Sequence, residues 1–328
     1  MRIFVTFDYE LYFGTNTGTV SRCMIEPTEM LTKAADKAGV KFCHFVDIGF
    51  IIRLKEEMKR HQALRKDYDL IARQLDHLQR NQHDLQLHIH PHWEDSFYDG
   101  EKWICKTERY KLADFPSADV SDIVHRYKTA LAEFTDLSRI IAYRAGGWCL
   151  QPFSHIREAL MANGIRIDSS VFANGAFTSE QYAYDFRGAP LAGRWTFEND
   201  PLKPAEDGYF TEIPISSIHN SPLFYWRLFL LGRINPYLHK PLGDGIPMPA
   251  PGQRLSLLTR WTYNTVSVDG YNASLLDRAL RQHEQLKKSD MVIIGHPKAL
   301  SRYGLKSLAE FIDCRKNQHT FTTFREEI

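Results

Sequence analysis

Short apolar runs that end in polar or ionisable side chains recur along this sequence and constrain its fold more than any other feature. One run occupies residues 2–7, and others lead into residues 88, 144, 168 and 296. Short apolar runs predict buried β-strands, and α/β enzymes hold their reactive groups where parallel strands end. The sequence therefore predicts an α/β fold with one active site built from strand ends. The candidate residues are Asp8, Glu10, His88, His92, Arg144, Asp168 and His296.

The segments between the runs supply the helices that such a fold needs. Helices are predicted over 27–38, 119–134 and 274–288, and the many charges of 51–81 indicate solvated helices. A single (β/α) barrel commonly uses roughly 250 residues, so one barrel can account for most of this chain. A glycine-rich phosphate loop is absent from the sequence, which disfavours nucleotide-dependent chemistry.

The strongest single signal for chemistry is a group of three histidines. His88, His90 and His92 fall within five residues, with Pro91 between the last two. Imidazole is the commonest neutral ligand of zinc and related ions, and a bend at Pro91 would let His88 and His92 converge on one ion. We expect His90 to contribute less. The alternative is a polar strand end whose histidines face water.

Two carboxylates follow the first predicted strand. Asp8 and Glu10 point to the same side of an extended chain, about 7 Å apart. In a metal-dependent hydrolase, one such carboxylate ligates the ion and the other takes a proton from the attacking water. The alternative is that both are solvated residues of a loop.

These strand ends together resemble a known family. The ordered set looks like the five motifs of the polysaccharide deacetylase (NodB-homology) family, which is carbohydrate esterase family four, over residues 1 to about 300. The matching blocks are Thr6-Phe7-Asp8-Tyr9-Glu10, His88-x-x-x-His92, Arg144-Ala145-Gly146-Gly147-Trp148, Asp168-Ser169-Ser170 and Gly295-His296-Pro297. The nearest branch is the divergent one found beside bacterial surface-polysaccharide genes.

The resemblance implies a fold and a reaction. It implies one domain over 1–328 that folds as a distorted (β/α)7 barrel, with an insertion at about 173–262 between the fourth and fifth motifs. It also implies metal-dependent removal of N- or O-acetyl groups from a carbohydrate, an intermediate of cell-surface polysaccharide synthesis. Two alternatives stay open: hydrolysis of another C–N bond, as in a cyclic ureide, and a catalytically silent carbohydrate-binding relative.

The resemblance also assigns acid–base roles. Asp8 matches the catalytic base, Arg144 the arginine that holds it, and His296 the catalytic acid. Asp168 lies in the fourth motif, whose acid tunes that histidine. The alternatives are a surface arginine at Arg144 and a helix or turn cap at Asp168.

The metal ligands follow from the first two motifs, where this chain departs from the family. His88 and His92 match the ligands. Most members carry two adjacent aspartates in the first motif, whereas this chain has Asp8-Tyr9-Glu10, so Glu10 would be the third ligand. The implied cofactor is one divalent ion, zinc in the first instance, with cobalt or nickel as alternatives. A metal-independent branch of the superfamily departs at the same positions.

Residues 173–262 are rich in proline, glycine and aromatic side chains and include an apolar run at 221–231. The run is shorter than the about 20 residues that span a bilayer. It predicts either a core helix packed on the barrel or a surface helix, over 222–238, that contacts a membrane or a lipid-linked glycan.

Composition bounds the remaining partners and the compartment. The net charge of +1 implies no general attraction to nucleic acid. The five cysteines are scattered, odd in number and without a C-x-x-C pair, which indicates a reducing compartment. Since the N-terminus is already a predicted strand, we expect no cleavable signal peptide and a cytoplasmic protein, peripheral to the inner membrane if the surface-helix interpretation holds.

Overall fold

The fold is mixed α/β, and the computed structural model describes residues 1–179, 181–249 and 252–327. Within these residues the helices are α1 (Glu26–Ala38), α2 (Ile48–Glu57), α3 (Arg65–Arg80), α4 (Ser117–Leu131), α5 (Arg157–Ala162), α6 (Pro222–Ile234), α7 (Pro236–His239), α8 (Gln253–Thr259), α9 (Leu276–Gln285) and α10 (Arg302–Arg315). The strands are β1 (Arg2–Tyr9), β2 (Cys43–Asp47), β3 (Asp84–Ile89), β4 (Phe97–Tyr98), β5 (Trp103–Ile104), β6 (Ala142–Ala145), β7 (Ile167–Asp168), β8 (Ala176–Thr178), β9 (Ala183–Asp185), β10 (Trp195–Phe197), β11 (Phe210–Glu212), β12 (Ser217–Asn220), β13 (Thr262–Thr265), β14 (Asp290–Gly295) and β15 (Thr320–Thr322).

A curled, mostly parallel sheet organises these elements into a half-barrel. The strand order is β10-β11-β7-β6-β3-β2-β1-β14, with β15 also paired to β1. Among the described strands of this sheet, β10 runs antiparallel to β11 and the other pairs are parallel. Because parallel strands need crossover connections, helices such as α1, α3 and α4 lie between successive strands. The carboxyl ends of β1, β3, β6 and β14 therefore meet at one end of the curl.

Strand β1 shows how the sequence builds two layers. Its side chains alternate, so Ile3, Val5 and Phe7 pack in one apolar cluster with α1, α9 and α10. Phe4 faces the other cluster, inside the curl, and Thr6 is buried. A parallel sheet covered on both faces demands this double burial, which explains why the run at 2–7 is nearly all apolar.

The predicted helices correspond to helices in the structure, with shifted ends. The helix expected over 27–38 is α1, which begins at Glu26 and has Pro27 in its first turn. It ends where Gly39 takes a φ of 73°, and the Gly39 N–H caps the Ala35 carbonyl. The helix expected over 119–134 corresponds to α4, which begins two residues earlier at Ser117, and the segment 274–288 contains α9. The chain thus alternates strands and helices, as an α/β fold requires.

The segment 173–262 divides into parts that join the main sheet and parts that leave it. Strands β10 and β11 belong to the main sheet, whereas β12 and β13 form a separate two-stranded sheet. Helices α6 to α8 lie between those two strands along the chain. The single-domain organisation with an insertion stays a prediction. Among the described residues, no helix has the length and apolar character needed to cross a membrane.

Candidate metal and acid–base site

The ends of four parallel strands bring the predicted site residues to one place. Asp8 lies on β1, His88 on β3 and Arg144 on β6, while His296 directly follows β14. The register pairs His88 with Arg144 and Phe7 with Gly295. Strand alternation turns Asp8 away from the Phe7 side and into the curl. All four side chains are thereby held by the sheet rather than by flexible loops.

Glu10, His88 and His90 form a buried group whose ligand atoms lie within 4.8 Å of one another. The Nε2 atom of His90 is 2.6 Å from Glu10 Oε2, and Nε2 of His88 is 3.3 Å from the same oxygen. One carboxylate and two imidazoles are a donor set that zinc and its neighbours accept. The group can therefore hold a divalent ion.

The hydrogen bonds of the two histidines fit that use. His88 Nδ1 is 2.8 Å from the Arg144 carbonyl oxygen, and donation of Nδ1–H to this oxygen directs Nε2 at Glu10. Burial would lower the pKa of His88, but Asp8 and Glu10 raise it overall, so an ion bound here would displace a proton from Nε2. Burial lowers the pKa of His90 to about 4, so this ring is neutral near pH 7. Both ring nitrogens of His90 are buried and lack a hydrogen bond of acceptable geometry, as do those of His92. Of these two rings, His90 is the one that lies beside Glu10 and His88.

His90, and not the predicted His92, lies with Glu10 and His88 in this group. Strand β3 ends at Ile89, and a short helical turn begins at Pro91, so the strand alternation that would align His88 with His92 stops between them. His92 instead lies stacked on Tyr110, with ring centres 5.4 Å apart and planes 12° apart. The bend at Pro91 was expected, but it selects the other histidine.

Gly146 makes room for the His90 ring. A Cβ atom at Gly146 would lie 2.5 Å from His90 Nδ1 and 2.7 Å from the carbonyl oxygen of Ile89. These distances are too short for any side chain, so the glycine after β6 is required by the position of His90.

Lys298 completes the surroundings of Glu10. Its Nζ atom is 2.8 Å from Glu10 Oε1 and donates to the Leu11 carbonyl oxygen at 2.6 Å. Burial alone would raise the pKa of Glu10, but Lys298, His90 and His88 outweigh burial and hold this pKa well below its ordinary value. Glu10 is thus ionised, with Oε1 bound to the ammonium and Oε2 directed to the histidines. The sequence shows Lys298 directly after His296-Pro297, but nothing there indicated this contact.

Asp8 is held by Arg144. The Nη1 atom of Arg144 donates to Asp8 Oδ1 at 2.6 Å, and Nε donates to the Ser169 carbonyl oxygen at 2.8 Å. The guanidinium also lies 4.0 Å from the ring centre of Phe45. Burial would raise the pKa of Asp8, but the charges of Arg144 and His88 lower it overall. A buried, ionised carboxylate therefore faces the proposed ion site, and the alternative of a surface arginine is excluded because Arg144 is fully buried.

Asp269 is the partner of His296 and was missed by sequence reasoning. Its Oδ2 lies 2.8 Å from His296 Nδ1, and its Oδ1 accepts the His296 backbone N–H at 2.8 Å. Burial would lower the pKa of His296, but Asp269, Asp8 and Glu10 raise it to about 9. The signal was present in Val266-x-Val268-Asp269, another apolar alternation that ends in an acid.

His296 also faces the base. Its Nε2 atom lies 3.6 Å from Asp8 Oδ2 and 3.8 Å from Glu10 Oε1. A protonated imidazole and an ionised carboxylate thus stand on the two sides of one small space, the arrangement that general acid–base chemistry needs.

The structure places Asp168 against Ser170 and Glu212, whereas the predicted tuning role would need it beside His296. Asp168 pairs in register with Glu212 and accepts hydrogen bonds from Ser170 Oγ at 2.8 Å and Ser170 N at 3.0 Å. Burial and the neighbouring carboxyl raise the pKa of Glu212 well above its ordinary value, and burial raises that of Asp168. Glu212 therefore holds its proton to a higher pH than an ordinary glutamate does. Asp168 supports the Ser169–Ser170 turn against which Arg144 rests.

A cleft of about 290 Å³ opens above these groups. Asp8, Glu10, His88 and His296 line its polar side. Aromatic and apolar side chains line the rest, among them Tyr12, Tyr110, Trp148, Tyr182 and Met248. Binding clefts commonly combine a few convergent polar groups with apolar and aromatic walls.

Comparison with known proteins supports the fold alone. No protein-family model matches the sequence, and no curated protein matches it. Among solved structures, the chain is similar to a provisionally assigned polysaccharide deacetylase from Mycobacterium smegmatis, with a TM-score of 0.53 and 14% identity over 99% of this chain and 88% of the other.

Two weaker likenesses accompany it. A 4-alpha-glucanotransferase from Thermococcus litoralis has a TM-score of 0.48 and 13% identity over 99% of this chain and 37% of that one. A GH57-type branching enzyme from the archaeon Pyrococcus horikoshii has a TM-score of 0.48 and 10% identity over 98% and 68%. The chain therefore shares the α/β fold of the M. smegmatis protein.

Proposed function

We propose that this chain is a metal-dependent hydrolase that removes an acetyl group from a carbohydrate. One observation carries the proposal: the carboxylate of Asp8 and the imidazole of His296 lie 3.6 Å apart beside the convergent donors of Glu10, His88 and His90. The M. smegmatis structure, whose provisional assignment names a polysaccharide deacetylase, supports the same reaction class.

Glu10, His88 and His90 would hold the ion. Two neutral imidazole nitrogens and one carboxylate oxygen favour zinc, and cobalt or nickel accept the same donors. When bound, such an ion acidifies a water molecule and polarises a carbonyl group. The Lys298 ammonium holds one oxygen of Glu10, which leaves the other oxygen as a single ligand atom.

The chain's own acid–base groups divide the proton transfers. Asp8 is kept ionised by Arg144 and accepts a proton from the attacking water. His296, whose pKa is raised to about 9, is protonated near neutral pH and donates to the leaving nitrogen or oxygen. Asp269 fixes the other ring nitrogen of His296, so the proton is presented from Nε2.

The finer family features belong to the same proposal. Two backbone hydrogen bonds support a distorted (β/α)7 barrel, because they link the segment after β11 to both sides of the sheet. Ser216 N donates to the Val292 carbonyl oxygen of β14 at 3.0 Å, and Ile215 N donates to the Val171 carbonyl oxygen, beyond β7, at 2.9 Å. A substrate from cell-surface polysaccharide synthesis suits the aromatic walls of the cleft. A cytoplasmic location is supported by five cysteines that are all free thiols.

Acetate release tests the proposal. Purified protein is incubated with N-acetylated and O-acetylated amino sugars and their oligomers, and acetate is measured before and after treatment with a chelator and readdition of zinc. We expect release that the chelator abolishes and zinc restores.

The competing functions predict other outcomes. Hydrolysis of a cyclic ureide without acetate release would favour the other C–N hydrolase, and a protein that binds acetylated sugars without any turnover or stoichiometric metal would be the silent relative. Either result contradicts the deacetylase proposal.

A further inference from the structure

Helix α6 presents an apolar stripe to solvent. Leu223, Trp226, Leu230 and Ile234 recur at intervals of three and four residues, so they lie along one side of the helix. Leu223 and Ile234 expose 75% and 70% of their surface. Tyr225 is buried on the opposite side, where its hydroxyl accepts a hydrogen bond from Thr262 Oγ1. The Tyr225 side of the helix is thus anchored to the rest of the chain.

Neighbouring elements extend this stripe. Trp226 Nε1 donates to the Leu258 carbonyl oxygen at 3.1 Å, which ties α6 to α8. Further exposed apolar residues lie on α7, on α8 and just before β13. We call the whole set the α6–α8 surface, which consists of Leu223, Trp226, Leu230, Ile234, Tyr237, Leu255 and Trp261. Proteins that remain monomeric in water rarely expose so many large apolar side chains together.

The charge of the same segment is strongly one-sided, although the whole chain carries only +1. Residues 213–268 contain one acidic residue, Asp244, whose carboxylate accepts hydrogen bonds from the Thr19 backbone N–H and hydroxyl. The basic residues of the segment are all exposed, and they are Arg227, Arg233, Lys240, Arg254 and Arg260. On α6, helical geometry places Arg227 and Arg233 on the two flanks of the apolar stripe.

We propose that the α6–α8 surface docks on an anionic lipid bilayer. An interfacial helix buries an apolar face at the boundary between headgroups and acyl chains while flanking arginines reach the phosphates. Tryptophan and tyrosine prefer the same depth. Five exposed basic residues against a single engaged acid complement a negative membrane surface, whereas a neutral protein partner would explain the apolar side chains and leave the charge unexplained.

One segment joins the docking surface to the cleft. After α7, the chain runs back to the loop that follows β1, where Gly14 N donates to the Ile246 carbonyl oxygen at 3.1 Å. The next two residues, Pro247 and Met248, line the cleft that contains Asp8 and His296. Docking would therefore hold the cleft close to the bilayer, where an acetylated sugar carried on a lipid can be reached. The docking itself does not depend on the proposed hydrolase function.

Vesicle co-sedimentation tests the docking. The intact protein is spun with vesicles of phosphatidylcholine alone and with vesicles that contain about one-third phosphatidylglycerol. We expect binding to the anionic vesicles only, weakened by salt. The double variant Trp226→Glu/Leu230→Glu should bind at least roughly tenfold more weakly, because two apolar anchors are replaced by charges.

Matched variants separate the docking surface from general effects. Leu191→Glu/Leu286→Glu changes two exposed leucines outside the α6–α8 surface and should bind as wild type does. Arg227→Gln/Arg233→Gln should lose roughly fivefold in affinity per arginine for anionic vesicles. Circular dichroism checks that each variant is folded.

Three results would overturn the proposal. The first is no binding of folded wild type to anionic vesicles, and the second is equal binding by wild type and Trp226→Glu/Leu230→Glu. The third is a wild-type dimer in light scattering that becomes a monomer in the same variant, since the surface would then join two copies of the chain. Because none of these readouts measures acetate release, failure here is distinguishable from failure of the proposed function.

Discussion

The carboxyl end of β1 and the outer side of α6 both depart from the usual distribution of side chains. The first buries charged groups, and the second exposes apolar ones. Glu10 on the first is only 4% exposed, whereas Leu223 on the second is 75% exposed. Buried polar groups and exposed apolar patches are the informative departures from the general rule. Each departure has a cost in stability, and each coincides with a place where this molecule can bind something.

The two regions differ in how their unusual groups are satisfied. At the end of β1 every ionised group has a named partner: Arg144 for Asp8, Lys298 for Glu10 and Asp269 for His296. Such partners offset the free-energy cost of removing a charged group from water. The side chains of the α6 stripe each expose more than half of their surface to solvent, and Trp226 also donates a hydrogen bond to the Leu258 carbonyl oxygen. The first region is preorganised for chemistry, and the second awaits a partner.

The largest expected effect comes from removing the base. Asp8→Asn should lower turnover by roughly 10² to 10⁴, because an amide cannot accept the water proton, and it should leave bound metal in place. Glu10→Gln should instead lose metal affinity first and recover activity at high metal concentration. Acetate release and metal content are measured on both variants, with exposed Asp207→Asn as the control.

The reverse pattern would contradict this assignment. If Asp8→Asn lost its metal and Glu10→Gln kept it, the two carboxylates would have exchanged roles. If both variants kept full activity, the end of β1 would not be the reactive region.

An intermediate effect is expected at Asp269, whose charge helps to hold the pKa of His296 at about 9. Asp269→Asn should lower the pKa of His296 toward its ordinary 6.5, since loss of one adjacent opposite charge moves a pKa by about 1–3 units. Protonated His296 is the proposed acid, so the alkaline decline of kcat should move to lower pH in the variant. NMR titration of the His296 ring follows the same shift without turnover.

The control at this position is Asp277→Asn, which changes an exposed carboxylate on α9. If the alkaline decline of kcat and the titration of His296 were both unchanged in Asp269→Asn, Asp269 would not be what raises the pKa of His296.

The smallest expected effect concerns the carboxyl pair beneath Arg144. Because the pKa of Glu212 is raised in the folded protein, folded Glu212 keeps a proton that the unfolded chain releases above its ordinary value of 4.5. Wild-type stability therefore declines as pH rises from that value. Glu212→Gln has no proton to release, so its free energy of unfolding should rise relative to that of wild type with increasing pH, by about 1 kcal/mol near neutral pH.

Thermal unfolding across pH 4 to 8, read by circular dichroism, follows this difference. The exposed Glu206→Gln is the matched control. If the stabilities of wild type and Glu212→Gln changed with pH in the same way, folded Glu212 would not hold the extra proton.

Sequence reasoning reached the fold class and the strand ends because alternation and apolar runs are local signals. Asp8, Glu10, His88, Arg144 and His296 were all placed just after such runs, and the sheet brings them together. The likeness in fold to the M. smegmatis structure agrees with the α/β prediction.

The missed features depend on geometry that a linear pattern does not encode. Whether His90 or His92 meets Glu10 depends on where β3 ends, and it ends one residue before His90. The contact between Asp269 and His296 depends on the bridge that sets Ser267 beside Ile294. Lys298 reaches Glu10 because a turn follows β14. Each error or omission lies at the boundary of a strand, where local rules of alternation stop.

Metal content is the most direct test of the central claim that the end of β1 is a metal-dependent acid–base site. Circular dichroism first shows that wild type, His90→Ala and His92→Ala are folded. Each protein is then loaded with zinc and desalted, and its zinc content is measured by inductively coupled plasma mass spectrometry. We predict about one zinc per chain in wild type and in His92→Ala, and a loss of affinity in His90→Ala larger than the roughly 10–100-fold typical of an outer-sphere partner. Wild type without zinc, or zinc lost from His92→Ala and retained by His90→Ala, would contradict the account.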